Sequence, residues 1–357
     1  MTMARGSVDP DFWRGRRVLV TGHTGFKGSW LSLWLTEMGA QVRGFSLAPP
    51  STPNLFTIAQ VESLMDHVHG DLRDIKAVTR TVTDFKPEIV LHLAAQALVR
   101  PSYDDPVVTY ATNVMGTVHL LEAVRSCGSV KALVSVTSDK CYANREWDWG
   151  YRESDPMGGH DPYSSSKGCA ELVTAAYRDS FFAPGGTVAL ASARAGNVIG
   201  GGDWGLDRLV PDMVRAWSSS ETLRIRYPDA IRPWQHVLEP TSGYLQLAQK
   251  LATEGASFAD GWNFGPGPES EQPVRTLVER GLTLWGDDAQ WATENEPQPH
   301  EATYLKLDVS KARGKLGWNP RWDLSTTLDK TFGWYRAWHD GADMAALTRR
   351  QIKDYMT

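Results

Sequence analysis

Short apolar runs alternate with longer amphipathic stretches through the first half of the chain. Apolar runs rich in Val, Leu and Ile predict strands at residues 16–21, 41–47, 67–71, 89–93, 132–137 and 189–193. Helical periodicity lies between them, at residues 29–38, 75–85 and 107–127. Alternation at this spacing predicts an α/β fold with a parallel, doubly wound sheet, the Rossmann arrangement.

The second half of the chain has a less regular pattern. It predicts helices at 209–218 and 240–253, a strand at 262–264, a loop at 227–234 and one C-terminal helix. The glycines at 200–202 predict a flexible loop. We therefore expect a dinucleotide-binding domain over residues 12–193, with returning segments at about 235–264. A smaller, mixed α/β substrate domain would comprise 194–234 and 265–357.

A glycine-rich loop separates the first predicted strand from the first predicted helix. Glycines let backbone N–H groups approach a pyrophosphate, which then lies at the positive end of the helix. A tight turn is the alternative, but the strand–loop–helix context favours a dinucleotide. The second strand ends in Phe45-Ser46-Leu47 rather than in an acid, so it does not decide between NAD and NADP. The loop reads Gly22-His23-Thr24-Gly25-Phe26-Lys27-Gly28.

Polar and small residues follow the next strands at the same edge of the predicted sheet. Asp71 and Leu72 end the third strand, and Asp71 suits an adenine amino group, although it is equally typical of a surface loop. Ligands of such sheets gather at the carboxyl ends of the strands, so these positions are expected to line one crevice. The fourth strand leads into Leu93, Ala94, Ala95 and Gln96.

Tyr163 and Lys167 are four residues apart in a predicted helix. This spacing places both on one face, where the ammonium can lower the pKa of the phenol and hold a nicotinamide ribose. Such a phenolate is a base for an alcohol that loses its hydride to a nicotinamide. The pair predicts hydride transfer.

A hydroxyl, an acid and a second possible base follow the fifth strand, at Ser138, Asp139 and Lys140. Oxidation of an alcohol needs no Asp-Lys pair, whereas elimination of water needs both an acid and a base. A lysine acts as a base when burial or neighbouring cations lower its pKa. The triplet therefore predicts an elimination in the same pocket as the hydride transfer.

Composition narrows the class of protein. The chain has 357 residues, of which 41% are hydrophobic and 22% charged, and a net charge of −5 without a basic run, so nucleic acid and anionic membranes are not expected as partners. No membrane span or signal-peptide layout is visible, and we expect a cytoplasmic protein. The three cysteines lack metal-ligand spacing, so we expect reduced thiols and no metal site.

Five arginines lie in one stretch of the second half. Arginine pairs with phosphate through two parallel hydrogen bonds, but most of these side chains are expected at the surface. Arg232, within Ile-Arg-Pro-Trp-Gln-His, is the one that we expect to contact phosphate. The five are Arg208, Arg215, Arg224, Arg226 and Arg232.

The motifs resemble the nucleotide-sugar branch of the extended short-chain dehydrogenase/reductase superfamily, and within it the CDP-glucose 4,6-dehydratases. The likeness covers about residues 12–338. Sister dehydratases that act on dTDP-glucose read Thr-Asp-Glu where this chain has Ser138-Asp139-Lys140, and the lysine points to the CDP-glucose branch. The resemblance is carried by residues 22–30, 138–142, 194–204, 231–240, 300–302 and 305–308.

This resemblance implies a cofactor, a substrate and residue roles. NAD would be the cofactor, CDP-glucose the small-molecule substrate, and CDP-4-dehydro-6-deoxy-D-glucose the product. Tyr163 would be the base at the 4-hydroxyl with Ser138 bonded to the same oxygen, Asp139 the acid at the 6-hydroxyl, and Lys140 the C5 base or a stabiliser of the enolate. Asn113 would join the cofactor site. The substrate site would contain Gln96, Ser138, Asn197, Arg208, Arg232, His236 and Tyr304.

Other functions share part of this residue set. A 4-epimerase would use Tyr163 and Lys167 but has no role for Asp139 and Lys140, and a dehydratase could act on another nucleotide hexose. A non-catalytic nucleotide-sugar-binding regulator would be expected to lose the acid–base residues first. The apolar faces of helices 107–127 and 164–182, as in superfamily members that pair through a four-helix bundle, predict a homodimer or homotetramer.

Overall fold

A parallel sheet forms the centre of the fold. The computed structural model describes residues 7–182, 186–286, 289–294 and 304–357, so the predicted motif at 300–302 lies outside the described residues. In chain order the strands are β1 Arg17–Thr21, β2 Gln41–Ser46, β3 Asp66–His69, β4 Ile89–His92, β5 Ala132–Val136, β6 Ala189–Ala195, β7 Val198–Ile199, β8 Thr222–Ile225, β9 Ile231–Pro233, β10 Gln235–His236, β11 Gly261–Phe264, β12 Glu271–Pro273 and β13 Gln290–Thr293.

The central sheet has seven strands in the order β3-β2-β1-β4-β5-β6-β11, and all neighbours are parallel. The order reverses between β1 and β4, which creates a crevice at the carboxyl ends of these strands. Every residue of β4, β5 and β6 is buried because helices cover both faces of the sheet. The predicted doubly wound parallel sheet is confirmed.

The helices fill the spaces that the apolar periodicity predicts. In chain order they are α1 Pro10–Trp13, α2 Phe26–Glu37, α3 Leu55–Ile58, α4 Ile75–Phe85, α5 Val99–Asp104, α6 Pro106–Tyr110, α7 Gly116–Arg125, α8 Pro162–Tyr177, α9 Leu209–Ser218, α10 Leu238–Glu254, α11 Val274–Trp285, α12 Leu324–His339 and α13 Met344–Met356. Short 3-10 turns occur at Val61–Leu64, Asp139–Cys141, Gly255–Phe258 and Pro268–Ser270, and π-helical turns at Ala111–Met115, Arg178–Phe182 and Ala312–Leu316.

Three helix predictions were wrong in their continuity. The stretch 107–127 consists of α6, a π-helical turn and α7, and the stretch 164–182 of α8 and a second π-helical turn. A π-helical turn is a single wider turn within an α-helix, so sequence periodicity alone does not reveal where it lies. The C-terminal segment holds two helices, because Asp343 caps the start of α13 by accepting a hydrogen bond from the N–H group of Ala346.

The glycines at 200–202 are packed, not flexible. A Cβ on Gly201 would lie 2.0 Å from the Trp334 ring, and the Gly201 carbonyl accepts a hydrogen bond from Trp30 Nε1 at 2.9 Å. The prediction of a flexible loop was therefore wrong, because the glycines allow two large rings to approach the backbone. The predicted loop at 227–234 also contains β9, which pairs antiparallel with β12.

Helix α10 lies within the core and contacts β4, β5, β6 and α2. Twelve of its seventeen residues are buried, and β11 joins the edge of the sheet beside β6 after the helix ends. Among the described residues no helix is both long and apolar enough to cross a membrane. The same part of the chain contains no cluster of three or more His, Cys, Asp or Glu side chains placed to hold a metal ion.

Candidate active site

The glycine loop forms a close-packed cradle at the carboxyl end of β1. Gly22 has φ +76°, and a Cβ there would lie 2.6 Å from the Ala94 nitrogen. A Cβ on Gly28 would lie 2.1 Å from the Gly22 carbonyl oxygen. Gly25 stands at the N-cap of α2 and supplies no side-chain cap, so the first N–H groups of the helix remain available to a phosphate. The cradle fits the pyrophosphate of a dinucleotide.

The hydroxyl of Thr24 links this loop to the end of β2. Thr24 Oγ1 lies 2.9 Å from Ser46 Oγ and donates to the Leu47 carbonyl at 2.9 Å. The third strand leads to Asp71, which forms a 2.5 Å ion pair with Arg73. Asp71 is thus already paired at the surface. The backbone of Leu72 is fixed by His119, whose Nδ1 donates to the Leu72 carbonyl at 2.8 Å.

Hydrogen bonds with Thr21 and Asn113 fix the segment that follows β4. The N–H of Leu93 donates to the Thr21 carbonyl, and the N–H of Ala94 donates to Thr21 Oγ1 at 3.2 Å. Asn113 accepts from the Gln96 N–H at 2.8 Å and donates to the Gln96 carbonyl at 2.9 Å. Asn113 therefore shapes the segment that includes Ala95, and its own amide is used within the protein.

The side chain of Gln96 also faces its own loop. Its Oε1 accepts from the Leu98 N–H at 2.6 Å, and its Nε2 donates to the Leu98 carbonyl and to Thr109 Oγ1. The predicted cofactor and sugar contacts of Gln96 thus require either its backbone or a change of these bonds. Asn113 Nδ2 donates to Ser166 Oγ at 2.8 Å, which ties this loop to α8.

Ser138, Asp139 and Lys140 occupy the turn after β5. Ser138 Oγ donates to Asp139 Oδ1 at 2.9 Å and accepts from the Lys140 N–H at 3.2 Å. The Asp139 side chain is buried, and within the described residues its Oδ2 has no hydrogen-bond partner. An unsatisfied buried carboxylate oxygen is costly, and a substrate hydroxyl would satisfy it.

Lys140 is only partly covered and lies next to the acid. Its side chain is 39% exposed, and its Nζ lies 3.7 Å from Asp139 Oδ1. A bound sugar that covers Lys140 and hydrogen-bonds Asp139 would change both contacts.

Tyr163 lies in the first turn of α8, where Asp161 accepts from the Ser164 N–H at 2.9 Å and Pro162 takes the first helical position. Burial raises the pKa of Tyr163 to about 12, against the hydrogen bond from Ser138 and the positive charge of Arg208. The phenol pKa is therefore raised rather than lowered as the Tyr–Lys spacing predicts, because burial outweighs the hydrogen bond with Ser138 and the positive charge of Arg208.

Two lysines carry perturbed ammonium groups. Burial lowers the pKa of Lys167 to about 8, with Glu171 acting in the opposite direction. Burial, and then the charge of Arg208, lowers the pKa of Lys27 to about 8, against Asp139 and Asp203. The Lys27 ammonium of the glycine loop thus shares the cleft with the acid of the β5 turn.

The arginine prediction needs correction at three positions. Arg208 Nη1 contacts both carboxylate oxygens of Asp203, at 3.0 and 2.9 Å. Arg215 forms an ion pair with Asp212 and donates to the carbonyls of residues 204 and 205, and Arg226 lies 3.8 Å from Asp207. These side chains are not merely solvated, because acids interspersed in residues 203–212 pair with them.

The remaining substrate candidates lie at three different places. A Cβ on Gly196 would be 3.1 Å from Asp139 Oδ2 and 3.7 Å from Pro233, so the segments that carry Asn197 and Arg232 border the acid. Arg232 is half-buried, and its Nη1 donates to the Ile231 carbonyl at 3.0 Å. Tyr304 donates its hydroxyl proton to Glu271 at 3.1 Å.

His236 is a core residue in this structure, not a lining residue. It has no exposed surface and packs edge-on against Trp30 and Trp322, with ring centroids 5.8 and 4.8 Å away. Its Nδ1 accepts from the Leu238 N–H at 3.2 Å. Burial lowers the pKa of His236 to about 3, so the ring is neutral. His236 is thus buried among aromatic rings, and its contact with a substrate stays a prediction.

Sequence reasoning missed three residues that the fold brings to the site. Tyr244 of α10 is fully buried, and none of the described residues hydrogen-bonds its hydroxyl; its pKa is raised by burial and by Asp139 and Tyr163. Asp203 orients Arg208, and Glu171 lies one turn beyond Lys167. The spacing of four residues from Lys167 to Glu171 is the one local signal that could have pointed to any of these three.

The arrangement supports oxidation and elimination in one cleft. A phenol, a hydroxyl and an ammonium converge from α8 and the β5 turn, beside a buried carboxyl group and a partly exposed lysine. The glycine cradle lies near this cluster, because the charges of Asp139 and Lys167 shift the pKa of the Lys27 ammonium. Removal of one proton, delivery of another and hydride transfer all have candidate groups here.

Comparisons with known proteins show what this chain is similar to. The family model described as GDP-mannose 4,6 dehydratase matches residues 19–331. A CDP-glucose 4,6-dehydratase of Salmonella typhimurium is 58% identical over 354 residues, covering 98% of this chain and 99% of the relative.

Solved structures share the fold. An epimerase from Methanothermobacter thermautotrophicus has a TM-score of 0.80 at 23% identity, covering 96% of this chain and 97% of that one. A dTDP-glucose 4,6-dehydratase from Streptomyces venezuelae, solved with NAD, has a TM-score of 0.73 at 25% identity, covering 92% and 99%. With the family model matching most of its length, the chain belongs to the GDP-mannose 4,6 dehydratase family.

Proposed function

We propose that this protein is an NAD-dependent CDP-D-glucose 4,6-dehydratase that forms CDP-4-dehydro-6-deoxy-D-glucose and water. The relative that carries this activity in its name is 58% identical across nearly the whole of both chains. The family model that matches this chain is also described as a 4,6-dehydratase. Two dehydratases of similar structure were solved with NAD.

The observation that carries the proposal is the buried acid beside the phenol. Among the residues that the structure describes, none hydrogen-bonds Asp139 Oδ2, and the charge of Asp139 acts on Tyr163. A dehydrogenase or 4-epimerase has no use for a buried acid at this place, since neither reaction expels a hydroxyl group. A dehydratase needs such an acid for the departing 6-hydroxyl.

The glycine cradle supports NAD as the cofactor. The backbone at Gly22, Gly25 and Gly28 would hold its pyrophosphate, and Tyr163 with Lys167 would hold the nicotinamide ribose. When bound, NAD supplies a hydride acceptor for C4 and later the same hydride for C6.

Proton transfers are then assigned to the side chains of the cleft. Tyr163 removes the proton of the 4-hydroxyl while Ser138 hydrogen-bonds that oxygen. The resulting ketone acidifies C5, so Lys140 removes the C5 proton and Asp139 protonates the departing 6-hydroxyl, which leaves as water. Tyr163 does not return this proton to the oxygen on C4, so C4 remains a ketone in the product. Hydrogen and electrons balance, since the hydride from C4 ends at C6 and a solvent proton ends at C5.

The test uses purified protein with NAD⁺ and, in separate reactions, the CDP-, dTDP-, UDP- and GDP-hexoses. We expect a product lighter by one water from CDP-glucose, detected by mass spectrometry. Water loss from a different nucleotide hexose would overturn the CDP assignment. A 4-epimer of unchanged mass would overturn the dehydratase assignment, and the absence of any turnover would favour a binding protein.

We further propose that residues 12–193, with about 235–264, form the cofactor domain and that 194–234 with 265–357 form the nucleotide-sugar domain. The glycine cradle lies in the first part, and the arginine-rich segment around Arg208 and Arg232 lies in the second. A cytoplasmic location accords with three free cysteines. Cell fractionation that finds the chain in an oxidising compartment would contradict the location.

We also propose a homodimer or a homotetramer built from two dimers. Large apolar side chains are exposed along both helical stretches of the expected four-helix interface: Val107 is 76% exposed, Leu172 61% and Phe181 52%. Apolar patches of this kind mark interaction surfaces. Sedimentation should give a dimer or larger species at micromolar concentration, and Leu172→Asp should shift it toward monomer. A monomeric wild type would contradict the proposal.

A further inference from the structure

Arg208 is held by an acid of its own loop, and this contact has no part in the proton transfers described above. The Nη1 atom of Arg208 donates to both carboxylate oxygens of Asp203, at 3.0 and 2.9 Å. The Asp203 side chain is 7% exposed, whereas that of Arg208 is 36% exposed. A buried acid thus holds a partly exposed guanidinium from the protein side.

The opposite edge of the same guanidinium is open to a ligand. The Nε and Nη2 atoms of Arg208 make no hydrogen bond with any residue that the structure describes. Because a guanidinium is planar and rigid, an acid that binds Nη1 leaves the edge formed by Nε and Nη2 facing away from it. Such an edge is a fork with which arginine forms two parallel hydrogen bonds with a phosphate.

Asp203 is itself fixed by the loop 203–208 and its neighbours. Its carbonyl accepts a hydrogen bond from the buried Tyr335 hydroxyl of α12 at 2.5 Å, and its Oδ1 accepts from the Gly205 N–H at 3.0 Å. Arg215 of α9 donates to the carbonyls of residues 204 and 205 at 3.1 Å. A Cβ on Gly205 would lie 3.0 Å from Arg208 Cδ, so the glycine makes room for the stem of the arginine. The anchor of Arg208 is therefore preorganised.

The loop 203–208 borders the reaction cleft. Its Asp207 Oδ1 lies 3.5 Å from Arg100 Nη1 of α5, and Ser102 Oγ of the same helix accepts from the Tyr163 N–H at 3.1 Å. Burial raises the pKa of Tyr163, and the positive charge of Arg208 opposes this shift. Arg208 therefore lies near the phenol, on the side of the cleft that belongs to the second half of the chain.

We propose that Asp203 is a positioning residue for the diphosphate of the substrate. It fixes Nη1 of Arg208, so that the open edge at Nε and Nη2 forms two parallel hydrogen bonds with one phosphate group. Asp203 touches neither substrate nor cofactor and acts through Arg208. The inference rests on the proposed function, because that function makes a nucleoside diphosphate sugar the ligand of the cleft.

Two effects of Asp203 on a bound diphosphate oppose each other. Its negative charge repels phosphate, so a neutral residue would by itself tighten binding. Its hydrogen bonds order Arg208 in advance, so their loss makes binding carry the cost of ordering a long side chain. Salt screens the repulsion at a partly exposed site but leaves the cost of ordering unchanged. We therefore expect the loss of order to dominate at physiological salt.

The experiment measures the affinity of the NAD⁺-bound proteins for CDP by calorimetry at about 0.15 M salt. Asp203→Asn removes the charge, whereas Asp203→Glu keeps the charge and displaces the carboxylate. We expect CDP to bind about tenfold more weakly to both variants, since both lose the ordered guanidinium. Cytidine, which carries no phosphate and is measured by competition with CDP, should bind as it does to wild type. Unchanged or tighter CDP binding in Asp203→Asn, or an equal loss for cytidine, would overturn the proposal.

Asp207→Asn is the matched control. It removes a negative charge from the same loop, where Asp207 pairs with Arg100 and Arg226 and not with Arg208. Its affinity for CDP should therefore stay close to that of wild type. A loss equal to that in Asp203→Asn would assign the effect to the charge of the loop and would overturn the positioning role.

A double-mutant cycle keeps the test decisive if Asp203→Glu does not fold. Once Arg208→Ala has removed the guanidinium, Asp203→Asn should cost no further affinity for CDP. Additive losses would show that Asp203 does not act through Arg208 and would overturn the proposal. Failure of the proposed function is distinguishable, because wild type would then form no dehydrated product from CDP-glucose, while the cycle is still measured with whichever of CDP, dTDP, UDP or GDP binds. Binding of none of these diphosphates would overturn both proposals.

Discussion

The Asp139 carboxylate requires a hydrogen-bonding group from whatever ligand fills the cleft. One carboxylate oxygen is satisfied by Ser138, and the other is buried beside Gly196 with no hydrogen bond within the described residues. A substrate hydroxyl at that oxygen would be recognised and protonated at the same point. At the scale of single residues, the cleft is thus arranged for a leaving group rather than only for a hydride.

Lys140 separates a dehydratase from every simple dehydrogenase with this fold. Lys140→Ala removes the C5 base but leaves Tyr163 and Lys167 in place, so NADH and the 4-keto sugar that retains its 6-hydroxyl should accumulate. Loss of a general base slows such a step by about a hundredfold or more. Solvent deuterium should enter C5 of the wild-type product and enter the variant's sugar slowly.

The control for this variant is Lys131→Ala, an exposed lysine just before β5, which should turn over normally. Near-normal water loss in Lys140→Ala, or failure of this variant to form NADH in a single turnover, would assign the wrong role to Lys140.

Arg232 offers a test of nucleotide recognition away from the reacting carbons. In Arg232→Ala a charge-assisted contact with the diphosphate is lost in the ground state and the transition state alike, so KM should rise by about tenfold or more with a small change in kcat. Steady-state kinetics with CDP-glucose measures both constants. Arg224→Ala, an exposed arginine on β8, is the matched control. An unchanged KM in Arg232→Ala would leave this side chain with a structural role only.

At the scale of elements, the glycine loop and α2 act as one unit. Gly28 lies in the first turn of α2 against the Gly22 carbonyl, and Gly22 lies against the backbone of residue 94 after β4. The close contacts bring three segments of backbone together at the place where a pyrophosphate would bind. Helix propensity favours alanine over glycine at position 28, so the glycine is there for space and not for the helix.

Gly28→Ala should therefore weaken NAD⁺ binding by about tenfold or more, since a forced backbone shift costs about 1–3 kcal/mol. Isothermal titration or quenching of tryptophan fluorescence by NAD⁺ measures the affinity. The matched control is Gly333→Ala in α12, where a Cβ would meet nothing within 4 Å, and it should bind NAD⁺ normally with equal or greater thermal stability. Wild-type affinity in Gly28→Ala would show that the cradle tolerates a side chain.

At the scale of the whole molecule, Glu239 joins α10 to the C-terminal part of the chain. It is fully buried and accepts from the N–H groups of Arg321 and Trp322 and, at 2.6 Å, from the Tyr355 hydroxyl. Trp318 Nε1 donates to the Glu239 carbonyl and to Ser242 Oγ, which strengthens the same junction. These hydrogen bonds fasten the C-terminal part of the chain to α10.

Burial raises the pKa of Glu239 from its usual 4.5 to about 7. Between these values the folded protein holds a proton that the unfolded chain releases, so the stability from this group is present below pH 4.5 and is lost as pH rises through 7. The loss amounts to roughly 3 kcal/mol. Glu239→Gln, which stays neutral, should lack this part of the pH dependence, as measured by urea unfolding at pH 5 and pH 8.

The control for Glu239→Gln is Glu254→Gln on the same helix, an exposed acid paired with Lys250, whose pH dependence should match that of wild type. Equal pH dependence in Glu239→Gln and wild type would show that Glu239 is ionised at acidic pH.

The sequence by itself determined the sheet and the order of the chemical groups along it. Parallel strands buried on both faces appear as uninterrupted apolar runs, and their carboxyl ends follow directly in the sequence, so the glycine loop and residues 138–140 could be placed at one edge in advance. The helical spacing of Tyr163, Lys167 and Glu171 was also local information. Each of these inferences depends on neighbours within a few residues.

Only the tertiary structure decided which of these groups are buried and what they contact. Arg194 pairs with Glu171, and the ring of His236 packs against Trp30 and Trp322, because the fold brings together residues that are distant in the chain. The raised pKa of Tyr163 and the exposure of Lys140 likewise depend on three-dimensional burial. Local pattern specifies the backbone, whereas desolvation and charge pairing arise only after long-range packing is complete.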